Sequence, residues 1–296
     1  MSRHPSSPAP RRRVRRVGPP RCRQRVVQQG TTGRPVVLLH GLASLADEIF
    51  HPLAEPLVDA GFRVTAIDRP GYGGSEAASS GAMGPDAQAR ALERTLARLR
   101  VRDAIVIAHS AGAAPALHLA RRGGDRVAGL VLISPFCRPT RPRAALGLRA
   151  ATAPIIGPSI RRLLPTVAPT LGRSMVRAAL HRGQAMPDPR AFPWRRMAQP
   201  SAVSAMAAEL RGFNADMIGL RTQLKRLSIP TLVLMDPDDR VIDSKAHARW
   251  LDSRLPTCAV RSIPAGHLMH HFEPAAVLDA VVSVDVAIQV GMRRIA

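Results

Sequence analysis

Residues 106–117 read VIAHSAGAAPAL. An apolar run that stops at His109-Ser110 and resumes as small, helix-favouring residues predicts a strand that turns abruptly into a helix. At such a turn the residues two positions before and after the central one must be small, because larger side chains would collide with the neighbouring strand and helix. Ala108 and Gly112 meet that need around Ser110. The stretch therefore reads as a nucleophile elbow. Ser110 Oγ stands at the carboxyl edge of a sheet, and backbone amides at the N-terminus of the next helix face an incoming oxygen.

Outward from the elbow the same alternation recurs. PVVLLH (35–40), RVTAID (63–68), AIVIAH (104–109) and VAGLVLIS (127–134) read as buried strands bounded by turn residues. LADEIFHPLAEPLVDAG (45–61) and DAQARALERTLARLR (86–100) repeat apolar positions at helical spacing, the first closing on Gly61 as a C-cap. Strands separated by helices predict an α/β fold with a mostly parallel sheet. After Pro135 the strand signals stop until TLVLMD (231–236) and AVRSI (259–263), and a last helix is expected over 274–290. The chain thus divides into a basic disordered tail (1–24), a catalytic domain (25–135 and 227–296) and an all-helical insertion, or cap (136–226).

The charge is uneven. Of the formal +22, residues 1–35 carry ten arginines and no acid, while 136–226 carry sixteen basic residues against Asp188, Glu209 and Asp216. Lys225 and Lys245 are the only lysines, an arginine bias that a GC-rich genome produces without a nucleic-acid partner. An aromatic content of 3% leaves few rings to stack on bases, so no nucleic acid is expected. The N-terminal stretch has charge but no apolar core segment, and its prolines resist an amphipathic helix, so it is read as neither a secretory signal nor a transit peptide. Nor does any apolar run reach membrane-spanning length. Cys22, Cys137 and Cys258 are odd in number and widely spaced, which predicts neither a disulfide framework nor a zinc site and points to the cytoplasm. Nothing in the sequence fixes the oligomeric state.

A serine nucleophile needs a base, and the base an orienting carboxylate. MDPDDRVID (235–243) and IPAGHLMHH (263–271) follow two later strands and supply them in the order Ser, Asp, His. With LLHGLAS (38–44), the glycine-rich DRPGYGGS (68–75) and the elbow, the chain from residue 34 onward resembles α/β-hydrolase fold proteins with a helical cap. The resemblance implies an eight-stranded sheet, Ser110 as nucleophile, His267 as base and Asp239 as orienting acid. Asp236 is the second choice, because it stands where the family usually has glycine. The amides of Leu42 and Ala111 are implied as the oxyanion donors, with His40, Gly41 and His109 supporting their loops. The remaining histidines, His51, His118, His181, His247, His270 and His271, are expected on surfaces and helix faces or at the start of the final helix region. They show no ligand spacing, so neither a metal nor a cofactor is implied.

Serine rather than aspartate at position 110 argues against dehalogenase or epoxide hydrolase chemistry and for acyl transfer to water. The expected activity is hydrolysis of a carboxylic ester or related acyl compound through an acyl-enzyme. The basic, acid-poor cap favours a small apolar or anionic acyl substrate. Carbon–carbon bond hydrolysis and cofactor-free haloperoxidase chemistry could use the same three residues, and a non-catalytic binding protein is the alternative of another class. The apolar positions of PIIGPSIRRLLPTVAPTLGRSMVRAAL (154–180) are expected to pack on the catalytic domain, with weak contact to a membrane surface as the alternative.

Overall fold

The apolar runs around the elbow become the centre of an eight-stranded sheet. The structure, a computed structural model, describes residues 12–77, 83–122, 124–140, 153, 157–181 and 183–291. In chain order the first elements are β1 (Arg13–Val17), β2 (Gln24–Gln29), β3 (Pro35–Leu39), α1 (Ala46–Asp59), β4 (Arg63–Ile67), α2 (Pro85–Arg98), β5 (Ala104–His109), α3 (Ala113–Arg122) and β6 (Val127–Ile133). The cap follows with α4 (Gly157–Ala179), α5 (Trp194–Met197) and α6 (Pro200–Leu220). The sheet then resumes with β7 (Thr231–Met235), α7 (Ser244–Asp252), β8 (Cys258–Ser262), α8 (Met269–Phe272) and α9 (Pro274–Gln289).

The strand order is β1-β2-β4-β3-β5-β6-β7-β8; β2 runs antiparallel to both of its neighbours, β1 and β4, and every pair from β4–β3 to β7–β8 is parallel. Strands β3 and β5 lie in the middle and are buried along their whole length. Their continuous apolar composition follows from being covered on both faces. Because side chains alternate along a strand, Val37, Leu39 and Val106 join one core with Leu92, Leu117 and Leu251, from α2, α3 and α7. Val36, Leu38, Ile105 and Ile107 join the other with Leu53 and Val281, from α1 and α9. A third apolar cluster, including Tyr72, Met83, Phe192, Met206 and Leu268, fills the space under the cap.

The disordered tail expected over residues 1–24 requires correction in its second half. Arg13–Val17 forms an edge strand in register with β2, from Arg13 opposite Gln28 to Val17 opposite Gln24. Pro19 begins the turn between them, where Cys22 N–H donates to the Pro19 carbonyl at 3.1 Å. The arginines did not prevent a strand because an edge strand leaves its side chains in water, and Arg13, Val14, Arg15 and Arg16 are all exposed. Residues 1–11 lie outside the described residues, as do 141–152 and 154–156 of the expected cap helices. No helix among the described residues is long and apolar enough to cross a membrane.

Candidate active site

The chain reverses between β5 and α3 over Ser110–Gly112, and Ser110 takes the left-handed conformation at φ 51°. That strain persists because the surroundings leave no other path. A Cβ on Gly112 would lie 2.6 Å from the His40 carbonyl oxygen and 2.7 Å from that of Leu39, both fixed backbone atoms. A Cβ on Gly41 would stand 3.2 Å from both Ser110 Cβ and His109 Nδ1. The small residues on both loops are thus a condition of the close approach of β3 and the elbow. From the far side the Phe136 amide donates to the Ser110 carbonyl at 2.9 Å.

Ser110, His267 and Asp239, 157 and 28 residues apart in sequence, come together above the carboxyl edge of the sheet. Ser110 Oγ lies 3.0 Å from His267 Nε2, and His267 Nδ1 lies 2.8 Å from Asp239 Oδ2. A carboxylate only accepts, so Nδ1 carries the ring hydrogen and Nε2 is free to accept from the serine hydroxyl. Burial works to raise the Asp239 pKa, but the bonds from His267, Ser244 Oγ and the Val241 amide outweigh it and hold the carboxyl below its usual range.

Asp236, the second candidate for the acid, instead accepts the Gly266 amide at 2.6 Å and the Asp238 amide at 2.7 Å. It anchors the loop that presents His267, and Gly266 at φ 74° makes that turn. Asp243 caps α7 through the Ala246 amide. Of the two candidates for the orienting acid, Asp239 touches the imidazole, and Asp236 holds the loop that carries it.

The amide of Ala111 belongs to the first turn after the strand, where helical N–H groups have no partner within the helix. Leu42 follows Gly41 on the facing loop. That loop is held from behind by Arg69, whose Nε and Nη2 donate to the His40 and Gly41 carbonyls at 2.9 and 3.0 Å. His40 Nδ1 donates to the Gly41 carbonyl at 2.8 Å, and its Nε2 accepts the Arg69 amide at 2.9 Å. Burial and the adjacent guanidinium lower the His40 pKa to about 3, so the ring is neutral, as those two bonds require. His109 Nε2 donates to the His267 carbonyl at 3.0 Å, and burial keeps this ring neutral as well. Both rings thus hydrogen-bond to backbone of the loops beside them.

Two buried networks are not visible in the sequence. Arg69 Nη1 meets Glu209 Oε1, from cap helix α6, at 2.7 Å and Gln88 at 2.8 Å; Tyr72 O–H donates to the other Glu209 oxygen. Neither Arg69 nor Glu209 exposes any side-chain surface. DRPGYGGS contains both Arg69 and Tyr72, but its glycines are the more conspicuous signal. Second, Glu48 on α1 accepts from His270 Nε2 at 2.6 Å, His271 Nε2 at 2.8 Å and Ser44 Oγ at 2.7 Å. Burial opposes its ionisation, yet the imidazoles keep its pKa well below the ordinary value. His270 and His271 stand at the start of the final helix region, as expected, and His118 and His247 lie on helices α3 and α7, but His118, His247 and His270 are buried rather than turned to solvent. Glu48, His109 and His270 each bring one potential ligand atom within 4.8 Å of the others. Glu48 already accepts three hydrogen bonds, so the trio reads as a hydrogen-bonded brace between α1 and α8.

The alpha/beta hydrolase family model matches residues 36–280. A pimeloyl-[acyl-carrier protein] methyl ester esterase from Aromatoleum aromaticum is 32% identical over 82% of this chain and 95% of its own length. A non-heme chloroperoxidase from Kitasatospora aureofaciens is 37% identical, but over 34% of this chain and 37% of its own. The solved structure of a thermophilic esterase from Thermogutta terrifontis shares the fold at a TM-score of 0.71 and 24% identity, covering 94% of this chain and 99% of that one. On the extent of the family match, together with the sheet order and the elbow, the chain belongs to the alpha/beta hydrolase family.

Proposed function

We propose that the protein hydrolyses a carboxylic ester through a Ser110 acyl-enzyme. The observation that carries this reading is the unbroken chain of hydrogen bonds from Ser110 Oγ through His267 to Asp239, at 3.0 and 2.8 Å. Ser110 Oγ attacks the ester carbonyl while His267 Nε2 takes its proton, and Asp239 stabilises the imidazolium that forms. The oxyanion is met by the amides of Leu42 and Ala111, donors typically worth about 3 kcal/mol each in the transition state. His267 returns the proton to the departing alcohol, then activates the water that releases the acid.

The methyl ester named for the A. aromaticum relative supports an ester over an amide or a carbon–carbon bond. The acid-poor cap supports an apolar or anionic acyl group. Cys22, Cys137 and Cys258 are buried and form no disulfide with one another, which fits a reducing compartment such as the cytoplasm. The test is a p-nitrophenyl ester series with fluorophosphonate labelling. Turnover and labelling are expected, both abolished by Ser110→Ala; turnover that survives that change overturns the mechanism. The chloroperoxidase relative favours a second reading, cofactor-free haloperoxidase chemistry at the same serine. Its sign is halide oxidation on addition of hydrogen peroxide, again lost with Ser110→Ala.

A further inference from the structure

Cap helix α4 spans 23 residues and buries one face, where Ala168, Val176 and Ala179 meet the rest of the protein. Its outer face carries a second apolar line. Leu163 is 66% exposed, Val167 45%, Leu171 50% and Met175 66%. Spaced by four, these positions drift only about 40° per step around the helix, so they form one continuous stripe. Arg162, Arg173 and Arg177 are exposed along one flank of it. Among the described residues none of these three guanidinium groups pairs with a carboxylate.

We propose that this face of α4 docks on an anionic lipid bilayer. Aliphatic side chains on one side and arginines on the other are the composition of a helix lying in a membrane interface, where the chains enter the acyl boundary and the guanidinium groups meet phosphate. The charge of the cap selects this occupant over others. Residues 136–226 hold sixteen basic residues against three acids, so a second copy of the same cap is repelled and an anionic surface attracted. Nucleic acid fits the arginines but leaves the aliphatic stripe in water. The helix also ends at the site: Arg240 donates to the Leu180 carbonyl at 3.2 Å, and the Ala179 carbonyl oxygen lies 3.3 Å from where a Gly266 Cβ would stand, one residue before His267. A docked α4 therefore holds the His267 loop next to the bilayer. That a membrane-dissolved acyl substrate then enters the site rests on the ester hydrolase reading; the docking itself does not.

The full chain is sedimented with vesicles of phosphatidylcholine and with vesicles of phosphatidylcholine mixed equally with phosphatidylglycerol. Binding to the anionic vesicles is expected to exceed binding to the neutral ones about tenfold or more. Leu163→Ser with Leu171→Ser is expected to reduce it about tenfold, and Arg173→Gln with Arg177→Gln to reduce it to a similar degree. Ser110→Ala is expected to bind like the unaltered chain, so a failed ester reading leaves this result untouched. Circular dichroism verifies that the α4 variants are folded. Equal binding to both vesicle types overturns the proposal, as does anionic binding that the α4 substitutions leave unchanged, which would place the contact on the other basic segments. Binding only to an acidic protein, with none to vesicles, overturns it too.

Discussion

Helices α4 and α6 are both long, both inserted between β6 and β7, and both part of the arginine-rich cap. Yet α6 sends Glu209 into the core against Arg69, while α4 leaves four aliphatic side chains in water. The difference lies in what each can find beneath it. Helix α6 crosses the DRPGYGGS loop, where Arg69 needs a counter-charge once it has been drawn inward to clamp the His40–Gly41 carbonyls. Its Ala202, Val203, Ala205 and Met206 are small or pliable enough to seat it there. Helix α4 has no such partner, and packs through alanines, a valine and the Gly172–Trp194 contact. One cap helix is thus structurally continuous with the catalytic domain, and the other is its outer surface.

The deepest cut into this contrast is Glu209→Ala, which leaves the Arg69 charge buried and unpaired. It is expected to lower stability by about 3–5 kcal/mol in urea unfolding, with Glu209→Gln costing less. A smaller loss comes from acid. The folded protein binds a proton at His40 only near pH 3, whereas the unfolded chain does so near 6.5. Stability therefore falls as pH drops through that window, is unaffected by this ring above it, and has lost about 2 kcal/mol from His40 alone by pH 5. Urea midpoints measured at pH 7 and pH 5 check this; His40→Gln should flatten the slope. The weakest effect is expected on α4, where Leu163→Ser should leave stability within about 0.5 kcal/mol. A large loss there would mean that the stripe is packed, and that the two helices are more alike than their exposures indicate.

What the sequence made legible follows the same divide. Strands β3 to β8, the elbow, and the Ser, Asp, His order were readable because each is a local pattern: an apolar run, a small-residue turn, an acid or imidazole after a strand. The choice of Asp239 over Asp236 rests on the family resemblance rather than on the residues themselves, and the Gly266 bond gives Asp236 a different part. The networks were not readable. Glu48 and His270 are 222 residues apart, and Arg69 and Glu209 are 140 apart. No periodicity links such pairs, and each member alone looks like an ordinary helix or loop residue. Strand β1 was hidden for a different reason. Arginine run and proline neighbours both mimic the composition of an unstructured segment.

Strand β1 has a consequence for how copies of the protein meet. An open sheet edge offers unsatisfied backbone groups that can template growth by another molecule. Here every approach to that edge encounters Arg13, Arg15 and Arg16, so two molecules aligning rim to rim would bring rows of like charge together. The fold's most vulnerable border is guarded by the residues that made it look unfolded.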